Sequence, residues 1–204
     1  MRSKTLLIAV GLVSILALLS GCAKAPQQVV DAANVALQAA EEARANLYVP
    51  DLYNAAKDSL TAAMDEINAQ GSKFALTRNY GRAQQLLEAA TKAANDAQAA
   101  VAAKKEEVKA EAQTLMAQAQ TAVEETKNLL AKAPKGKEGK EVLEQMQAEL
   151  SGAETAITEA TSAMDSGDFI GARDKVKAAL EKANSLNQEL ADAISKKSML
   201  SKKM

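Results

Sequence analysis

The chain has 204 residues with 25 basic and 26 acidic side chains, so its charge is nearly balanced and no basic excess points to nucleic acid. It contains no histidine, no tryptophan and one cysteine. A Ser-His-Asp triad, a histidine-ligated metal and histidine acid/base chemistry are thereby excluded together. Ala, Leu, Glu, Lys and Gln dominate, and aromatics make up 2%, a profile of long helices or coiled coil rather than of a mixed globular enzyme.

At the N-terminus Arg2 and Lys4 precede an apolar run from Leu6 to Leu19, and Leu19-Ser20-Gly21-Cys22 closes it. The run has the length of a signal-peptide core and falls short of the ~20 apolar residues of a membrane span. This order of basic start, apolar core, small residues and cysteine resembles the lipobox of bacterial lipoproteins. The resemblance implies a signal peptide over 1–21 and a lipidated tether over 22–27. Lipidation would fall at Cys22, with a thioether-linked diacylglyceryl group and an acylated new N-terminus. Ala23, where inner-membrane lipoproteins of the enterobacterial type carry Asp, implies the outer membrane. An ordinary secretory signal with a chance cysteine and an N-terminal membrane helix are the competing readings. Removal of the signal leaves 23 basic against 26 acidic side chains, and lipidation leaves no thiol for disulfide, redox or metal chemistry.

The spacing of Val30, Ala33, Leu37, Ala40 and Leu47 predicts a first helix from Gln28 to Leu47. Pro50 interrupts it and, with Asp51, opens a second. The second stripe reads Tyr53, Ala56, Leu60, Ala63, Ile67, Gln70 and Phe74, with an end near Thr77 and Asn79 as cap for the next helix. The third seam runs through Tyr80, Ala83, Leu87, Ala90, Ala94, Ala97 and Val101. It meets four charges at Lys104-Lys105-Glu106-Glu107 and resumes out of phase at Val108, Ala112, Leu115, Ala119, Ala122 and Leu129. Consecutive steps of four mark a stutter. A bend there is the alternative, but no breaker interrupts the segment, so one helix from Tyr80 to Ala133 is expected, ~80 Å long.

Pro134, Gly136 and Gly139 define a linker over 134–139, separating a first hairpin region at 28–133 from a second at 140–197. The fourth helix carries Leu143, Met146, Leu150, Ala153, Ile157, Ala160 and Met164. Gly167 reads as a left-handed C-cap and Asp168 as the next N-cap. The fifth carries Phe169, Ala172, Val176, Ala179, Ala183, Leu186, Leu190 and Ala193, followed by a basic tail over 198–204.

A shift of 89 positions carries Tyr80, Ala83, Leu87, Ala90, Ala94 and Val101 onto Phe169, Ala172, Val176, Ala179, Ala183 and Leu190. A shift of 90 carries Leu60, Ala63 and Ile67 onto Leu150, Ala153 and Ile157. Two copies of one helical hairpin follow. The hairpins look like tetratricopeptide-type units, without their strict period or tryptophan signature. The segment from Ala45 to Ala103 resembles an uncharacterised family of small helical bacterial envelope lipoproteins. The residues that carry the likeness are Tyr48-Val49-Pro50-Asp51-Leu52, the Ala56/Leu60/Ala63 stripe, and Asn79-Tyr80-Gly81-Arg82-Ala83 with Ala90, Ala94 and Ala97. That family has no agreed activity, and the peptidoglycan-binding domain of some relatives has no counterpart in this chain.

The pairs Glu41-Glu42, Glu106-Glu107 and Glu124-Glu125 fall on solvated faces, where nothing perturbs them toward catalysis. Asp165-Ser166-Gly167-Asp168 does not follow the calcium-loop spacing, and capping accounts for it. Tyr48, Tyr53, Phe74, Tyr80 and Phe169 gather at hairpin ends as core or, alternatively, as a ligand patch. The tail from Lys196 to Lys203 suits a helix C-terminus, with anionic lipid or peptidoglycan as the other reading.

The sequence therefore predicts an all-α chain of antiparallel helical hairpins or coiled-coil-like bundle with one long helix, after a cleaved signal peptide. Catalytic, metal and cofactor residues are expected to be none. The expected role is a structural or adaptor protein of the envelope, lipid-anchored and facing the periplasm. It would meet the membrane through Cys22 and meet a protein partner or itself through helical surfaces, with peptidoglycan as a further candidate and no nucleic acid. A tetratricopeptide-like module for peptides or cell-wall fragments is the alternative, and a stress-type protein poorly ordered alone is a third reading.

Overall fold

The computed structural model describes residues 24–134 and 139–201. Among them the chain is all-α, with helices α1 (Gln27–Glu42), α2 (Ala45–Tyr48), α3 (Pro50–Gly71), α4 (Gly81–Lys132), α5 (Lys140–Asp165) and α6 (Phe169–Ser201) and a 3-10 turn at Ala75–Thr77. Two compact units divide between Ala102 and Ala103, inside α4.

In the first unit α1, α3 and the start of α4 pack antiparallel in succession. Val30 and Ala33 of α1, Ala63 of α3, and Leu87 and Ala90 of α4 form the core, with Leu60, Ile67 and Leu86 against it. The seam is mostly alanine. Small side chains let helices approach closely, but each buries little area, so fully buried Leu87 contributes most at this level, ~1.5–3 kcal/mol.

The first helix does not continue to Leu47. It ends at Glu42, and Arg44 adopts a left-handed conformation (φ 67°) before the short α2. That turn resets the helical phase. Ala45 and Tyr48 enter the core, while Leu47, expected on the stripe, is exposed. Burial of the Tyr48 ring offsets the ~1–2 kcal/mol that a left-handed residue with a side chain costs. Pro50 opens α3 at its first position, as its fixed φ dictates.

The second helix also stops early, at Gly71 rather than near Thr77. Arg78 folds back and donates from Nη2 to the Gly71 carbonyl (2.8 Å) and from Nε to that of Lys73 (3.0 Å), satisfying acceptors that a helix end leaves open. Gln70, 7% exposed, receives the Asn79 N–H on its Oε1 (3.1 Å) and donates to Glu66 (2.7 Å). With the chain turned away after Gly71, Phe74 leaves the stripe and is 72% exposed.

The third helix runs unbroken through the charged stutter. Lys104 occupies the seam position between buried Val101 and Val108, half-buried, and its ammonium reaches Glu107 at 2.8 Å. Its stem covers apolar surface while its charge stays wet.

The second unit is a three-helix bundle of the later part of α4 with α5 and α6. Ala112, Ala119, Ala122 and Val123 pack with Leu150, Ala153, Ile157 and Ala160 and with Ala172, Val176, Ala179, Ala183 and Leu186. The Pro134–Gly139 segment is thus a connection within this unit, since α4 supplies one of its three helices. Two ion pairs, Glu159–Lys175 and Glu149–Lys182, set α5 antiparallel to α6, and Lys127–Glu154 joins α5 to α4. Gly167 (φ 80°) ends α5, with the Asp168 N–H bonded to the Ala163 carbonyl (2.8 Å) and that of Gly167 to Met164 (3.1 Å). This is a Schellman closure. Helix α6 runs to Ser201, four residues past the expected end.

The internal repeat is visible in burial. Ala83, Leu87, Ala90, Ala94 and Val101 are all buried, as are Ala172, Val176, Ala179, Ala183 and Leu190.

Candidate functional site

Cys22, the residue expected to carry lipid, lies outside the described residues, as do Lys202 and Lys203 of the tail. Lys196 and Lys197 are exposed near the end of α6.

The expected carboxylate pairs are exposed. Glu107 pairs with Lys104, and Glu106 with Lys109 at 3.8 Å. Lys127 stands 2.7 Å from both Glu124 and Glu154, and those hydrogen bonds, Glu124 first, hold its ammonium pKa well above the ordinary range. On the α5–α6 edge, the hydrogen bond from Lys182, seconded by Gln145, lowers the Glu149 pKa. Burial, with the Glu41 carboxylate beside it, raises that of Tyr53. These groups join helices on a wet surface. Among the described residues no group of three or more His, Cys, Asp or Glu side chains is placed to hold a metal.

Asp168 acts as a cap: its Oδ1 accepts the Gly171 N–H at 3.1 Å. A Cβ at Gly171 would meet that carboxylate as it lies, so a side chain there would make Asp168 shift its rotamer. Asn79 plays the same part before α4, its Oδ1 2.9 Å from the Gly81 nitrogen.

The aromatics do not form one patch. Tyr48 is buried, Tyr53 and Tyr80 are half-buried in the first unit, and Phe74 is exposed. In the second unit the Phe169 ring lies under the ammonium groups of both Lys105 and Lys109, each 5.6 Å from its centroid. Two cations one helical turn apart thus grip the first residue of α6 through the ring quadrupole.

The buried polar feature that sequence spacing did not single out is Thr126, wholly inaccessible to solvent. Its hydroxyl is 2.7 Å from the Asn187 Oδ1 of α6, and the Asn187 Nδ2 reaches the Ala122 carbonyl at 3.4 Å. The available signal was the seven-residue step from Ala122 to Leu129, which leaves a polar residue on the seam between them.

Open hollows score the surface, among them one between α4 and α5 lined by Gln120, Val123, Lys127, Glu154 and Ile157, and two more. One, between α4 and α6, is lined by Gln118, Thr121, Glu125, Leu180 and Asn184. The other, between α1 and α4 of the first unit, is lined by Val29, Ala32, Glu88, Thr91 and Asn95. Neither has an aromatic wall. Among the described residues no helix is long and apolar enough to cross a membrane.

No family model, curated protein or solved structure matches the chain.

Proposed function

We propose that the protein is a lipid-anchored, non-enzymatic structural or adaptor component of a bacterial envelope, held by Cys22 in the outer membrane and facing the periplasm. The observation that carries this reading is the ordered Leu19-Ser20-Gly21-Cys22 segment placed five residues before the first helix. Several acyl chains on one cysteine anchor far more firmly than one. The bundles then present charged helical faces with scattered apolar residues such as Val35, Val142 and Met199, suited to a protein partner or a second copy. Replacement of Cys22 by Ala should move the protein from the outer-membrane fraction to the soluble periplasm. A mutant that sediments as fully as the parent would overturn the anchor. Photo-crosslinking in cells from Val35, Val142 and Met199 should capture discrete protein adducts, and their absence from all three would overturn the adaptor role.

A second reading, a binding module for peptides or cell-wall fragments, is favoured by the α4–α6 hollow, where Gln118, Thr121, Glu125 and Asn184 surround apolar Leu180. Titration with muropeptides should then shift amide resonances of that wall and spare the α1–α4 hollow.

A further inference from the structure

The loop between α3 and α4 carries the two most exposed large apolar side chains among the described residues, Phe74 at 72% and Leu76 at 76%. A lone exposed apolar residue is ordinary; two at one tip, on a short turn fixed by Arg78 and Gln70, are a shaped protrusion. The charges of the loop itself have one sign, with the nearest carboxylate of α3, Glu66, at its base on Gln70. Between Glu66 and Glu88 the sequence holds Lys73, Arg78 and Arg82 and no carboxylate. Lys24, before α1, adds another cation, and the first carboxylate after Cys22 is Asp31.

The packing of the first unit places this tip at the end where the tether enters. Val29 and Val30, near the start of α1, share one core cluster with Ile67 near the end of α3 and with Leu86 and Leu87 near the start of α4. From there α3 runs four residues on to Gly71, and α4 begins five residues earlier at Gly81. The loop therefore projects ~6–8 Å past the level of Val29 and Val30, and ~3–4 Å past Gln27 where α1 starts, at 1.5 Å per residue. Cys22 is five residues from Gln27, a reach of at most ~18 Å. Acyl chains on Cys22 and the Phe74–Leu76 tip can occupy the same plane.

We propose that the loop is a second membrane contact, in which Phe74 and Leu76 enter the interfacial zone of the anionic phospholipid leaflet that holds the Cys22 acyl chains. Lys24, Lys73 and Arg82 then face lipid phosphates, each favoured by the negative surface potential. Aromatic and aliphatic side chains flanked by cations are the composition of interfacial anchors. Two points of attachment would hold the first unit upright, where a tether alone leaves it free to tumble. The inference rests on the anchor reading of Cys22.

The chain has no tryptophan, so Phe74→Trp, Leu76→Trp and, in α2 beyond the far end of α1, Leu47→Trp each provide a single emitter. The full lipidated protein carrying each change is reconstituted into phosphatidylethanolamine vesicles containing phosphatidylglycerol. Emission from positions 74 and 76 should shift to the blue and be quenched by brominated acyl chains, with iodide quenching several-fold weaker than at position 47. Water-exposed emission at 74 and 76, equal to that at 47 in protein that still floats with vesicles, overturns the inference and leaves the anchor standing. Shielding from iodide without quenching by brominated lipid means a protein covers the loop, and lipid quenching equal at all three positions means the unit lies flat; either overturns it. If the parent chain fails to float and mass spectrometry finds an unmodified Cys22, the anchor reading fails first and takes this inference with it.

Discussion

The Thr126 hydroxyl of α4 and the Asn187 amide of α6 meet at 2.7 Å inside the second bundle, the hydroxyl fully buried among alanines and leucines. An alanine seam allows several sliding registers at similar energy, because one small side chain resembles the next. A single polar pair that must be matched removes that degeneracy.

Thr126→Val keeps the shape and removes the hydroxyl, whose one proton is shared between the Asn187 Oδ1 and the Ala122 carbonyl, each 2.7 Å away, so the half-buried Asn187 amide loses its hydroxyl partner on α4. A loss of ~1–3 kcal/mol is expected in urea unfolding. Adding Asn187→Leu removes both partners and should recover much of that loss, at the cost of a less unique register seen as broadened amide resonances. An additive double mutant would show that the two residues do not form a pair.

Arg44 pays for its left-handed backbone with strain that glycine does not feel. Arg44→Gly should therefore raise stability, and Arg44→Val should lower it, the two separated by at least ~1 kcal/mol in thermal unfolding. A stabilising valine would mean that the turn between α1 and α2 relaxes freely.

Ala179 is buried where α6 passes its neighbours, while Lys177 is exposed two residues earlier. Ala179→Leu overfills the seam and should cost ~1–3 kcal/mol. At ~2–4 °C per kcal/mol for a chain of this size, its Tm should drop clearly below that of Lys177→Leu. Equal melting of the two would mean that the seam tolerates bulk.

The Glu149–Lys182 pair predicts a pH dependence of definite sign. The folded-state pKa of Glu149 is depressed, first by the Lys182 hydrogen bond. Its contribution is present above the unfolded carboxylate pKa and is lost as pH falls through the lower folded value. Lys182→Met should return the Glu149 titration, followed by carboxyl NMR, toward the ordinary carboxylate range and flatten the acid limb of stability. The effect should be small, because both side chains face water.

Among the described residues, the sequence by itself determined that the chain is all-α, that α4 crosses the charged stutter as one helix, and which alanines line the seams apart from Ala36, buried off the expected stripe, and Ala193, expected there but exposed. Each of these follows from local chemistry: the absence of Pro and internal Gly, stems on lysine long enough to snorkel at Lys104, and apolar spacing of three and four. The caps at Asn79, Gly167 and Asp168 were legible for the same reason, since a cap is a bond between residues two to five apart. Only the tertiary structure decided where helices stop without a breaker and which helices form a bundle together. Glu42 ends α1 because a left-handed Arg44 buries Tyr48, and Gly71 ends α3 because Arg78 satisfies its last carbonyl from across the loop while the Asn79 N–H is held by the Gln70 side chain. The later part of α4 joins α5 and α6 through Thr126, Lys127 and Phe169, whose partners lie 27 to 64 residues away in the chain. Periodicity records which face of a helix is apolar. It carries no information about which other helix covers that face, and so Phe74 was placed in a core that the turned chain leaves behind.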